Sequence, residues 1–296
     1  MTEAAVEATG GLAEPLGWLV LAAFLAGVAL EAVGRREPAR LTLVGAWLGF
    51  AAYRRDLFAL SRAIAFMGLF YAPIVAIDPV REWLILVVTG HTALAMDLLG
   101  YTPPVVTEIS ELAGRPEIEA GDTIPKPDAF ENTFVFFPAE YTDVRITYTI
   151  IVACTGIGSM AVVAGLVAAV RAPLSRKLLA AGIALPIIYV LNIVRNVFIG
   201  VSYGNQYAHF FPDVTMTLFG LDNPVRVSYI WADRIFAQLG SVVAMVLIIW
   251  LVVRILPEVM GPIEDLLYLL TGEEYDLASA LNLGPDETTA DPDAAD

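Results

Sequence analysis

Cys154 is the only cysteine of the 296-residue chain, and two arginines follow it in order, Arg195 after 41 residues and Arg234 after a further 39. A thiol and two guanidiniums can carry out acyl transfer. The thiolate is the attacking form, and burial in apolar surroundings raises a thiol's pKa. A guanidinium nearby favours the anion, and a second can hold a scissile carbonyl or the oxyanion that develops on it. Arginine stays protonated, so the trio lacks a proton acceptor. His209, Asp233, Asn196 and Tyr229 are candidates for that role or for a substrate contact, with water as a further acceptor. Each residue also has a plainer reading. Cys154 can be filler in a membrane helix, Arg195 can snorkel to headgroups, and Arg234 can be ion-paired with its neighbour Asp233. His209 can be a surface residue, and His91 a packing or hydrogen-bonding one.

These residues must be positioned by membrane helices. The chain is 57% hydrophobic with a mean hydropathy of +0.69, too apolar for a soluble domain. Seven spans of about 20 residues are expected: Pro15–Val33, Leu41–Tyr53 (short), Ser61–Ile77 with a kink at Pro73, Trp83–Leu99, Thr147–Val170 around Cys154, Lys177–Val201 with a kink at Pro186, and Tyr229–Leu256. Arg35, Arg36 and Arg40 in one short loop, and Arg171, Arg176 and Lys177 in another, mark the cytoplasmic side. Arg54 and Arg55 disagree with that assignment. With this orientation Cys154 is expected about 10 Å, Arg195 about 9 Å and Arg234 about 8 Å below the outer surface, at 1.5 Å per helical residue. Three helices would thus bring the trio to one outer layer.

The fold class expected is an all-α polytopic membrane protein with a small extracellular cap. Residues 1–256 read as the transmembrane domain, including an external segment, 101–145, and an external loop, 202–228. In the external segment TPPVVTEI and NTFVFFPAEY are β-prone and bounded by prolines, so short strands are expected there. Residues 257–296 form an acidic cytoplasmic tail, amphipathic over Val259–Leu270 and disordered from Gly284. The net charge is −15, and only Lys126 and Lys177 are lysines. An acidic, lysine-poor chain suits a high-salt organism and argues against a nucleic-acid partner. A single cysteine excludes an internal disulfide. No metal or cofactor is expected.

ACTGIGSM around Cys154, LNIVRNVFIG around Arg195 and WADRIFAQLGS around Arg234 resemble, in order and spacing, the three signature regions of the exosortase/archaeosortase family. Many exosortases have histidine at the third position; arginine there resembles the archaeosortase A branch of halophilic archaea. The resemblance covers roughly Thr147–Val253 with specific motifs. It implies a membrane cysteine transpeptidase with Cys154 as nucleophile and Arg195 and Arg234 as its partners. It further implies surface-protein substrates, the S-layer glycoprotein above all, with a C-terminal sorting signal of Pro-Gly-Phe type. The signal helix would be removed and a membrane phospholipid would serve as acyl acceptor. Competing readings are a membrane cysteine protease in which water resolves the thioester, a small-molecule transporter and a non-catalytic assembly factor. A transporter would lose little when Cys154 becomes serine.

Overall fold

The run from Arg145 onward alternates β-branched and aromatic residues (RITYTIIV) before it becomes uniformly apolar, and that pattern decides the architecture around Cys154. The structure, a computed structural model, describes residues 58–106, 117–119, 131–138 and 145–277. The chain divides into two compact units, one formed by Met1–Gly68, Ala164–Gly182 and Ile249–Asp296, the other by Leu69–Val163 and Ile183–Ile248.

The described elements are helices α1 (Phe58–Ala76) and α2 (Asp78–Leu98), then strands β1 (Val105–Val106), β2 (Glu117–Glu119), β3 (Thr133–Phe136) and β4 (Arg145–Thr149). A 3₁₀ turn, Val152–Thr155, leads into α3 (Ile157–Ala169) and α4 (Leu174–Gly204). Then come α5 (Pro212–Phe219), α6 (Arg226–Tyr229), a π-helical segment (Ile230–Ala237), α7 (Gln238–Ile255), a 3₁₀ turn (Pro257–Val259) and α8 (Met260–Thr271).

Among the described residues three stretches are long and apolar enough to cross a membrane: Ala59–Ala76, Leu174–Gly204 and Arg226–Ile255. They match the expected third, sixth and seventh spans, with Pro73 and Pro186 inside their helices. The expected fourth span falls in α2, which carries Asp78, Arg81, Glu82, His91 and Asp97 and is not among the three. The first two expected spans, the arginines at 35, 36, 40, 54 and 55, and the tail beyond residue 277 lie outside the described residues.

The expected Cys154 span is corrected. Thr147–Thr149 belong to β4, Val152–Thr155 to the 3₁₀ turn, and the helix begins only at Ile157. At 13 residues α3 is about 20 Å long, short of a bilayer's hydrocarbon core. The β-branched residues prefer an extended backbone. Gly156, at φ +75°, ends the 3₁₀ turn in a left-handed conformation that a side chain rarely adopts.

In the second unit the strands form one sheet in the order β1-β3-β4-β2. β3 and β4 are antiparallel, with Phe134 opposite Tyr148, whereas β2 and β4 are parallel. The expected cap strands are β1 and β3; β4 was hidden in what read as membrane helix. The sheet buries Phe134, Phe136, Ile146, Tyr148 and Ile150 against Ile85, Val88 and Met96 of α2 and Val197, Ile199, Val201 and Tyr203 of α4. Burying each large apolar side chain contributes about 1.5–3 kcal/mol. Gly204 on α4 is where the Phe136 ring lies, and a Cβ there would overlap the ring. His91 of α2 meets the Tyr189 hydroxyl of α4 at 2.6 Å through Nδ1, the hydrogen-bonding role expected of it.

In the first unit α8 is the expected amphipathic segment. Asp265 on α8 accepts from the Leu60 backbone N–H at 3.1 Å, satisfying an orphan donor in the first turn of α1. Burial raises the Asp265 pKa, and the Leu60 N–H pulls it back. Arg176 forks onto Glu258 at 2.8 and 3.1 Å and donates to the Ile255 carbonyl.

Candidate functional site

The site is built from the 3₁₀ turn, the part of α4 from Ile183 onward and the π segment, all within the second unit. Asn192, Arg195 and Asn196 fall at i, i+3 and i+4 on α4, hence on one face. The two asparagines grip the same atom: Asn192 Nδ2 donates to the Cys154 carbonyl oxygen at 2.7 Å and Asn196 Nδ2 at 2.8 Å. Asn196 is fully buried and Asn192 nearly so. Gly156 keeps room for this grip, since a Cβ there would lie 2.9 Å from Asn192 Cγ. The turn is also tied locally, with Cys154 N–H donating to the Ile151 carbonyl at 2.8 Å and Thr155 Oγ1 to the Val152 carbonyl at 2.7 Å.

Tyr148 reaches in from β4. Its hydroxyl donates to Asn196 Oδ1 at 3.2 Å. Burial holds Tyr148 well above its ordinary pKa, so it stays a donor. Cys154 itself is half-buried and precedes the apolar helix α3. Burial pushes its thiol up; the Ile151 backbone hydrogen bond, the Arg195 guanidinium and the Tyr148 hydroxyl oppose that, while the Asp233 carboxylate adds to it.

Arg195 Nη2 donates to Asp233 Oδ1 at 2.7 Å, and both side chains are mostly buried. Arg234 stands 3.8 Å from Asp233 Oδ2 through Nε, with its side chain 66% exposed. Tyr229 packs edge-on against Tyr203, ring centroids 5.5 Å apart, four residues before Asp233 on the same run. Asp233 faces α4 while the adjacent Arg234 remains open, on a π-helical segment between α6 and α7. π-helical turns inside helices are often found at functional sites.

A cavity of about 290 Å³ adjoins this group, lined by Gly156, Asn192, Arg195, Phe198, Phe236 and Ser241 among others. Most of its lining is apolar, with Ser159, Asn192, Arg195 and Ser241 as the polar residues. The arrangement can supply a nucleophilic thiol with a fixed backbone, a neutralised charge pair beside it and an exposed guanidinium.

The expected residues Cys154, Arg195, Asp233, Arg234, Asn196 and Tyr229 therefore belong to one constellation. His209 is not tied to it by any hydrogen bond or ion pair among the described residues, and its Nδ1 is buried without a partner. Sequence reasoning missed Tyr148, the paired role of Asn192 and the π segment. The i, i+4 asparagines flanking Arg195 were the available signal for the grip. Among the described residues no group of three His, Cys, Asp or Glu side chains could hold a metal ion.

Residues 3–224 match the family model of the transmembrane exosortases. The chain is 35% identical to archaeosortase A of Haloferax volcanii, over 93% of this chain and 99% of that one. It is 34% identical to archaeosortase A of Natronomonas pharaonis, over 86% of this chain and 88% of that one. No solved structure matches the chain.

Proposed function

The chain belongs to the transmembrane exosortase family, and from that premise we propose that it is a membrane cysteine transpeptidase acting on surface proteins. The observation that carries this reading is the double grip of Asn192 and Asn196 on the Cys154 carbonyl, beside the Arg195–Asp233 pair. Two buried amides spent on one backbone oxygen position the residue beyond what packing alone requires, and filler needs no such hold.

In the proposed reaction the Cys154 sulfur attacks the carbonyl carbon of the scissile peptide bond. The new S–C bond forms, the C–N bond breaks, and the leaving amine takes a proton and departs with the signal helix. Arg195 favours the thiolate electrostatically. Arg234, exposed and only loosely held by Asp233, contacts the substrate carbonyl and its developing oxyanion. The resulting thioester is then attacked by an amine on a membrane lipid headgroup, which restores the thiol and leaves the surface protein on the lipid. We assign the proton transfer to Tyr229 or Asp233, since His209 has no hydrogen bond or ion pair to the group among the described residues.

The substrates are surface proteins such as the S-layer glycoprotein, with a sorting signal of Pro-Gly-Phe type. The site faces the extracellular side of the plasma membrane, and the C-terminal tail from residue 257 is cytoplasmic. The relatives' names and the resemblance of the three motifs support this assignment. A deletion strain complemented with wild type or Cys154→Ser tests it by mass spectrometry of the surface glycoprotein's C-terminal peptide. Wild type is expected to remove the helix and add lipid mass, and Cys154→Ser to do neither. Removal of the helix with water as acceptor would leave the protease reading, and full processing by Cys154→Ser would defeat both.

A further inference from the structure

α5 lies in the connection between two membrane-crossing helices, α4 and the α6–π–α7 run. It is only eight residues long, PDVTMTLF, with Asp213 its one charged residue. A short connecting helix in water should turn polar residues outward. This one turns large apolar residues outward beside the polar Asp213 and Thr217: Phe211, its N-cap, is 69% exposed, Val214 66% and Leu218 76%. These positions repeat at i, i+3 and i+7, so they form one stripe. Thr215 is buried, and Asp213 lies on the side away from the stripe.

A band of aromatic rings runs from the spanning helices to that stripe. Phe198 of α4 meets Phe236 of the π segment at 6.5 Å, Phe236 meets Phe210 at 6.1 Å, and Phe210 meets Trp231 at 5.6 Å. Trp231 in turn meets Phe211 at 6.2 Å and donates through Nε1 to Thr215 Oγ1 at 3.1 Å. The outer members of the band, Phe198, Phe236, Phe210 and Phe211, are all exposed. Tryptophan and other amphipathic aromatics mark the headgroup level of a bilayer.

We infer that α5 is an interfacial helix whose Phe211–Val214–Leu218 stripe rests in the bilayer at the headgroup–acyl boundary. Two features select lipid over a protein partner. The stripe continues the apolar surface of the two spanning helices, and the connection holds α5 at the membrane end of both. Such helices bury their apolar face about 5–10 Å into the boundary region. The consequence bears on the site, because Trp231 lies two residues before Asp233 and three before Arg234 on the same π segment. Through the Trp231–Thr215 bond, the helix in the bilayer sets the height at which the Arg234 guanidinium stands. This inference does not rest on the proposed reaction.

The test uses the full chain in a Cys154→Ser background, so that the labelled residue is the only cysteine. Leu218→Cys and, as the opposite-face control, Asp213→Cys are each labelled with a bimane fluorophore. Each is reconstituted into phosphatidylglycerol vesicles. Nitroxide lipids labelled near the headgroup are expected to quench the label at position 218 several-fold more than the label at 213, and aqueous iodide to show the opposite order. Strong iodide quenching at both positions, with no quenching by nitroxide lipids, would mean that α5 stands in water. Protection of position 218 from both quenchers would place a protein partner on the stripe. Either result overturns the inference and leaves the cysteine reading untouched, since the labelled protein lacks the thiol.

Discussion

Arg195 and Arg234 approach the same carboxylate from two different helices, and Asp233 holds them unequally. Arg195 lies in the regular part of α4, mostly buried, and is bonded at 2.7 Å. Arg234 lies on the π segment, two-thirds exposed, at 3.8 Å. A charge buried in a low-dielectric setting is costly unless paired, so Arg195 is bound to Asp233; its proposed role is to act on the thiol from a distance. The exposed fork of Arg234 keeps its donors for something that arrives. Two arginines that look alike in the sequence thus sit in different settings, and in the reaction proposed above Arg195 is the fixed electrostatic element and Arg234 the contact element.

The largest effect is expected from removing the buried arginine. Arg195→Leu leaves the Asp233 carboxylate without its buried partner, which costs about 3–5 kcal/mol. Thermal unfolding in detergent should show a large drop in Tm together with lost processing. Adding Asp233→Leu should restore most of the Tm and none of the activity. Recovery of activity in the double variant would make the pair purely structural.

Arg234→Lys should do the opposite. Folding should change by no more than about 0.5 kcal/mol, as for other surface substitutions. Turnover of a sorting-signal peptide should fall by about 10²–10³-fold, the usual cost of an oxyanion donor. An unchanged rate would show that charge alone is needed and that the fork is not.

The thiol offers a smaller and more graded test. Burial raises the Cys154 pKa and Arg195 draws it back. Because the thiolate is the reactive form, the rate of Cys154 alkylation should climb with pH and reach its midpoint above the ordinary thiol value of about 8.5. Asn196→Leu removes one of the two donors to the Cys154 carbonyl and the acceptor of the Tyr148 hydroxyl, two hydrogen bonds at about 1 kcal/mol each. It should lower kcat while leaving KM near its wild-type value, which a merely destabilising change would not do. The smallest effect is expected at Arg176, whose ion pair with Glu258 is exposed on both sides. Arg176→Ala should cost at most about 1 kcal/mol in stability.

Much of the constellation was legible from residue type and order. The intramembrane charges at Arg195 and Asp233–Arg234 stood out because such residues are expensive in apolar spans. The spans themselves emerged from hydropathy within a few residues for α1, α4 and the α6–π–α7 run. The surroundings of Cys154 were not legible in the same way. An apolar run of β-branched residues is ambiguous between a buried strand and a helix. Only the partner strand β3 and the register Phe134–Tyr148 decide that Thr147–Thr149 are extended. The grip of Asn192 and Asn196 needed the turn to be in place first, because its acceptor is a backbone carbonyl. The π segment carries no proline or glycine within it and so left no mark in composition.

In the proposed reaction Cys154 forms the covalent bond to the substrate. Purified protein in detergent, mixed with a peptide bearing the sorting signal and quenched in acid, should gain the mass of the acyl fragment. Neutral hydroxylamine should release that mass, as it does for a thioester, and Cys154→Ala should never acquire it. A peptide cleaved at the wild-type rate by Cys154→Ala, or an adduct that maps to another residue, would contradict the account.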